Sequence, residues 1–204
     1  MLDGEQLEQV SEFKYLGYMF DDKGTDDAEC GRKVAGAIKS LVNAKGLSLK
    51  CMKVLHESML IPVLMYGSES MVWKKRYRDK MQAVQMDNLR GVLGVRRIDK
   101  MRNERFRELC GVEKGVLERI SESILRWFGH MERMDESRLV KRVYRGECVG
   151  YRGRGRPKNK WIGSVKFCLK ERNLDLDRAS GLVHNRNEWR GIVRGPRPGD
   201  EPLL

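Results

Sequence analysis

Leu117-Glu118-Arg119-Ile120-Ser121-Glu122-Ser123-Ile124-Leu125-Arg126-Trp127-Phe128-Gly129-His130-Met131 is the stretch that decides the fold of this chain. Leu117, Ile120, Ile124, Trp127, Phe128 and Met131 recur three and four residues apart, the spacing that lays side chains on one face of an α-helix. Charged residues fill much of the remainder, so the segment reads as a long amphipathic helix with a buried stripe. The same period returns upstream. From about residue 27 to 44, Val34, Ala37, Ile38, Leu41 and Val42 form a stripe that Gly46 stops. A second helix starts near Ser48, which can cap it, and carries Met52, Leu55 and Met59 until Pro62 bends or ends it. A third, about 78–93, turns Met81, Val84, Leu89 and Leu93 inward and ends at Gly94. Asn103 can cap a short helix to Cys110, with Gly111 just beyond. Downstream, Trp161, Val165, Cys168 and Leu169 mark a helix to about Arg172, and a last helix includes Trp189. The run Val10, Phe13, Tyr15, Leu16, Tyr18 and Phe20 departs from this period. It ends at Asp21-Asp22-Lys23-Gly24, which suits a turn, and reads as a strand or short hairpin.

The predicted architecture is therefore mainly α: a helical bundle with a small N-terminal β element, a basic linker and a small C-terminal helical module. The boundaries fall at 1–26 for the β segment, 27–97 for the first helices and 98–145 for a helical extension. A Gly/Arg linker follows at 146–156, then the C-terminal module at 157–194 and a disordered tail at 195–204. Helices joined by a short Gly-containing turn also fit a helix-turn-helix, although most such pairs are structural.

Charge is distributed unevenly over the 204 residues, whose net is +12. Residues 1–29 are acidic, with nine Asp and Glu against two Lys and Arg. Residues 141–172 hold eleven basic and two acidic residues. Within them Arg152, Arg154, Arg156, Lys158 and Lys160 alternate with small or neutral residues, and Gly153 and Gly155 let the backbone approach a surface. Such a footprint points to a polyanion partner. Arg154-Gly155-Arg156-Pro157 has the form of an AT-hook, whose arginines enter a narrow A·T minor groove; a flexible basic linker explains the segment equally well.

Other classes are excluded or unsupported. No apolar run approaches the ~20 residues of a membrane span, and the acidic start does not resemble a signal peptide. The five cysteines are odd in number, widely spaced and without a Cys-x-x-Cys pair, so they read as reduced thiols of a nuclear or cytoplasmic protein. His56, His130 and His184 lack ligand-like neighbours, and neither a metal nor any other cofactor is expected. Tyr18-Met19-Phe20-Asp21-Asp22 approaches the Tyr-x-Asp-Asp of reverse transcriptases, but Phe20 inserts a residue and would turn the first Asp to the other face of a strand. No phosphate-binding loop and no Ser-His-Asp or Cys-His set is present.

Several separate stretches resemble one family. Phe13-Lys14-Tyr15-Leu16-Gly17 resembles the primer grip of reverse transcriptases encoded by non-LTR (LINE-type) retrotransposons. Pro62-Val63-Leu64-Met65-Tyr66-Gly67-Ser68-Glu69 with Trp73, together with the helix ending at Ala44, is similar to the thumb region of that family. Leu89-Arg90, Leu93-Gly94, Asp99 and Arg102-Asn103-Glu104 continue the pattern. So do Leu125 to Met134, Gly155-Arg156-Pro157 with Trp161, and Arg186 with Trp189-Arg190. Asn185 departs from it, standing where such elements often have Asp. The resemblance spans about 7–193.

What the resemblance implies is a thumb and its extension, with the metal-binding carboxylates expected in a segment preceding Met1 and therefore no catalysis by this chain alone. It also makes Gly155-Arg156-Pro157 a family feature, which weakens the AT-hook alternative. A thumb holds an RNA–DNA hybrid or duplex DNA by its backbone through Lys and Arg, without reading sequence. Candidate contacts are Lys39, Lys45, Lys50, Lys53, Lys74, Lys75 and Arg76 on the helices, with Arg152, Arg154, Arg156, Lys158 and Lys160 in the basic segment. Phe13, Tyr15, Leu16 and Gly17 would form the primer-grip-like element. Trp73 and Trp161 suit base stacking, though core packing is the commoner use of tryptophans so spaced. A translated fragment of a decayed element, never selected to function, is the remaining alternative. No protein partner is indicated.

Overall fold

The computed structural model describes residues 12–15, 18–21, 36–37, 40, 48–146 and 159–195. The chain is mainly helical. Two short strands, β1 (Glu12–Tyr15) and β2 (Tyr18–Asp21), pair antiparallel with Phe13 opposite Phe20 and Tyr15 opposite Tyr18. Most of the helix expected over 27–44, with Lys39 and Lys45, lies outside the described residues, as do Leu16, Gly17 and the whole of 147–158.

Helix α1 (Leu49–Leu55) starts where the sequence indicated: Ser48 Oγ accepts from the Cys51 N–H at 3.4 Å. It then passes through a π-helical turn, His56–Leu60, into α2 (Ile61–Met65). Pro62 supplies the reason. Its ring would clash with the carbonyl four residues back and it has no N–H to donate, and a turn widened by one residue accommodates both. The helix therefore continues past Pro62 as far as Met65. The extra residue also rotates the stripe. Met59, expected inside with Met52 and Leu55, is 42% exposed, while Leu60 takes the core position at 0%. After α2 a turn forms with Gly67 at φ +67°, and the Ser68 N–H closes it onto the Met65 carbonyl at 3.0 Å.

Helix α3 (Lys75–Leu93) begins three residues before the predicted 78 and ends at Gly94, φ +66°, whose N–H reaches the carbonyls of Arg90 and Gly91. In α4 (Asn103–Leu109), Asn103 is not the cap. Arg102 holds that position, and Asn103 Oδ1 accepts instead from Arg90 Nη2 at 3.1 Å. The decisive stretch forms α5 (Val116–Glu132), with Ile120, Ile124, Leu125, Phe128 and Met131 buried and Trp127 half-buried.

A short helix, α6 (Leu139–Arg145), turns back on the end of α5, and its buried Lys141 donates to the carbonyls of Met131 (3.0 Å) and Glu132 (2.7 Å). These are the carbonyls a helix leaves without partners at its C-terminus. Then come α7 (Trp161–Lys170), α8 (Leu176–Leu182) and α9 (Arg186–Arg194). Asp175 caps α8 by accepting from the Arg178 N–H at 2.8 Å, and Asn185 caps α9 by accepting from the Glu188 N–H at 3.3 Å. The departure of Asn185 from Asp thus preserves an N-cap.

One core joins these helices. Leu60, Leu64, Val84, Ile120, Leu125 and Phe128 lie in the same buried cluster as Val165, Leu169, Val183 and Trp189. The C-terminal helices thus complete the core around α5, where the sequence suggested a module of their own beyond a 146–156 linker. At the start of α5, a polar chain crosses the interior. Gln85 Oε1 accepts the Val116 N–H at 2.9 Å, Gln85 Nε2 donates to His56 Nε2 at 3.4 Å, and His56 Nδ1 donates to Asn88 Oδ1 at 2.9 Å. Burial, the largest influence, holds the His56 imidazole below its usual pKa, against the opposing Asn88 hydrogen bond.

Candidate nucleic-acid interface

The turn after α2 carries two of the anchors that shape the main cleft. Trp73 Nε1 donates to the Ser68 carbonyl at 2.8 Å, and Trp161 Nε1 donates to the Glu69 carbonyl at 2.7 Å. The Trp73 N–H also donates to Ser164 Oγ on α7 at 3.0 Å, and Tyr144 of α6 stands edge-on to Trp161. Both indoles are half-buried and fasten α7 to the start of α3, which is the packing use of tryptophan.

Between α3, α5 and α7 these contacts leave a cleft of about 810 Å³. Leu117, Ile120 and Ile124 of α5 line it, together with Lys75 and Arg78 from α3, Lys160 just before α7 and Lys166 within α7. Asp79 is the one carboxylate among the lining residues. The Arg78 guanidinium lies over the Phe167 ring, 3.8 Å from its centroid, and pairs with Glu171 at 3.3 Å.

The start of α3 is unusual for a helix. Its first turn has no acidic residue and no side-chain cap, yet Lys74, Lys75, Arg76 and Arg78 gather there. Positive charge beside the positive end of the helix dipole costs about 0.3–1 kcal/mol per group, and free N–H groups at such an end suit an anion. Arg76 lies against Tyr77, its guanidinium 4.7 Å from the ring centroid and Nη2 donating to the hydroxyl at 2.7 Å.

Of the residues expected to hold nucleic acid, the fold brings Lys75 and Lys160 together in the cleft, with Lys74 and Arg76 at the start of the same helix. Lys50 and Lys53 are exposed on α1. Lys53 lies instead in a separate hollow with Arg107 and the carboxylates of Glu104, Glu108, Glu113 and Glu118, a setting that suits a cation better than a phosphate. Lys39, Lys45, Arg152, Arg154, Arg156 and Lys158 fall outside the described residues. Lys166 and Phe167 were not singled out from sequence. Their signal was available, since both lie one to two turns past Lys160 on the half of α7 that Val165 and Leu169 leave to solvent.

Among the described residues no group of His, Cys, Asp and Glu is arranged to hold a metal ion, and no helix is long and apolar enough to cross a membrane. Burial raises the Cys110 and Cys168 thiols above their usual pKa, which keeps them protonated and unreactive.

Comparison with known proteins gives a likeness to mobile-element sequences. An uncharacterized transposon-derived protein of Caenorhabditis elegans is 23% identical over 201 residues, covering 93% of this chain and 72% of that protein. No family model matches the chain. No solved structure matches it.

Proposed function

We propose that this chain is a thumb-and-extension piece of a LINE-type reverse transcriptase that grips template–primer nucleic acid by its backbone and does not itself polymerise. The observation that carries this reading is the cationic start of α3 bordering the same cleft as Lys160, just before α7, and Lys166 within it. Lys75, Lys160 and Lys166 line one concave surface with Arg78, which Glu171 pairs, and Asp79 is the one carboxylate in the lining, so the surface carries a net positive charge that suits an anion. The transposon-derived relative supports the mobile-element origin across nearly the whole chain. Recognition is of charge and spacing, because phosphate contacts position a protein without reading bases.

Fluorescence anisotropy with an RNA–DNA hybrid, an A·T-rich duplex and a G·C-rich duplex tests the reading. Wild type should bind all three comparably, with affinity falling steeply as salt rises. The Lys75→Gln/Lys160→Gln/Lys166→Gln variant should weaken all three alike and make the log–log salt slope shallower by up to about 3 on duplex DNA, roughly 0.9 per phosphate contact. Negligible binding at low salt would refute the proposal, and a preference for A·T tracts would favour the AT-hook. The second half of the reading is checked by primer extension on an RNA template with Mg²⁺, where no product should track the purified protein.

A further inference from the structure

Two of the family-like stretches that play no part in the cleft, Leu125 to Met134 and Arg186 to Arg190, pack against each other. Trp189 of α9 is buried against α5, its Nε1 donating to the Leu125 carbonyl at 3.2 Å and its ring 5.9 Å from that of Phe128. It fits because residue 129 has no side chain: a Cβ there would stand 2.2 Å from Trp189 Nε1. This close approach brings together basic residues of two helices. Arg126, His130 and Arg133 follow one face of α5, and Arg186, Arg190 and Arg194 follow one face of α9, along a groove of about 640 Å³.

No carboxylate lines that groove, and none of its five arginines forms an ion pair among the described residues. Elsewhere Arg107 is paired with Glu118, Arg119 with Glu57 and Arg145 with Glu136. Arg133 donates to the Val183 carbonyl at 2.7 Å, and its guanidinium is held below the usual arginine pKa by burial first and then by the charge of Arg186. No carboxylate in the groove offsets this crowding, so the groove is attractive to an external anion.

We propose that this groove seats one strand of a nucleic acid by its phosphates, as a second track separate from the cleft at α3. A single phosphodiester chain laid along the groove meets the arginines of both helices. The arginines of α9 repeat at every helical turn, about 6 Å, and Arg126 and Arg133 stand two turns apart along α5, so the groove offers a line of charges rather than a point. A lone phosphate would use one or two of them. Guanidinium groups bind phosphate through paired N–H donors, and phosphate contacts read no bases, so the seat is independent of sequence. The assignment rests on the same polyanion reading as the proposed function but uses none of its residues.

The test is anisotropy of the full chain with a fluorescein-labelled, mixed-sequence single-stranded DNA over a salt series. The Arg126→Gln/Arg186→Gln/Arg190→Gln variant should have a slope shallower by about 2, from roughly 0.7 per single-strand phosphate, while Arg→Lys at the same positions should retain it. Bound oligonucleotide should also protect Arg126, Arg186 and Arg190 of the wild type from phenylglyoxal, a readout that does not depend on the variants folding. If the arginine variant binds like wild type while the Lys75/Lys160/Lys166 variant is weakened, the groove proposal fails and the cleft reading stands. The converse sinks the cleft and keeps the groove. Equal binding of polyglutamate or of anionic phospholipid vesicles by the groove would overturn the nucleic-acid assignment, and no binding by wild type would end both.

Discussion

Replacing Gly129 by Ala sets two opposing effects against each other at one atom. Helix propensity favours the change: alanine is better than glycine in a helix interior by about 1 kcal/mol. Packing opposes it, because the new Cβ would lie 2.2 Å from Trp189 Nε1 and 2.7 Å from Cδ1. The indole is rigid, buried and held to the Leu125 carbonyl, so relief requires moving α9 or breaking that hydrogen bond. Overpacking typically costs about 1–3 kcal/mol, and leaving the indole N–H unsatisfied adds about 1–3. The net expectation is therefore destabilisation by about 1–5 kcal/mol, with a red shift of tryptophan emission.

Gly191→Ala on α9 is the control, since nothing lies within 4 Å of its added Cβ, and it should stabilise by about 0.5–1 kcal/mol. Urea unfolding of both variants measures the difference directly. In a Trp189→Phe background the Gly129→Ala penalty should shrink, giving a coupling of about 0.5–3 kcal/mol in a double-mutant cycle. A Gly129→Ala protein as stable as Gly191→Ala, with unchanged emission, would refute the close approach of α5 and α9.

Two further outcomes follow from buried polar groups. His56 titrates lower when folded than its unfolded 6.5, mainly through desolvation, so the unfolded state binds more protons as the pH falls. The stability it contributes is full above 6.5 and is lost as the pH falls through the lowered folded value; a urea midpoint that drops in that window, and drops less in His56→Gln, checks it. Lys141→Met should cost about 3 kcal/mol, because it removes the donor to the Glu132 carbonyl, one of the donors to the Met131 carbonyl, and the buried ammonium beside the Glu132 carboxylate, which is 8% exposed. Adding Glu132→Gln should recover part of that loss in the same unfolding assay.

The helical class, the stripe of α5, the Ser48 cap and the Gly94 stop were legible because each depends on neighbours within one or two turns. The π-helical turn was not, since it answers a conflict between Pro62 and a carbonyl, and periodicity alone put Met59 where Leu60 sits. Helices α6 and α8 are two turns long and owe their place to partners distant in sequence, Lys141 to the end of α5 and Val183 to the common core. Lys75 and Lys160 were both marked as phosphate contacts, but nothing local says that they share a cleft. That depends on Trp73 and Trp161 reaching the consecutive carbonyls of Ser68 and Glu69. The arginines of α5 and α9 were passed over because their significance lies in the absence of acidic partners, which only the packed structure reveals.

The sharing of one core by α5 and the last three helices also bears on how the chain can fold as it leaves a ribosome. Synthesis proceeds from the N-terminus at about 5–20 residues per second, and early segments ordinarily fold first. Here Ile120, Leu125 and Phe128 emerge well before Leu169, Val183 and Trp189, their partners in the core. The upstream helices can cover part of the central helix, but the part of its apolar face that meets α7 to α9 must wait uncovered until those helices emerge. Chains cut short before α7 would carry that exposed face permanently, and premature termination should yield aggregates rather than smaller folded proteins.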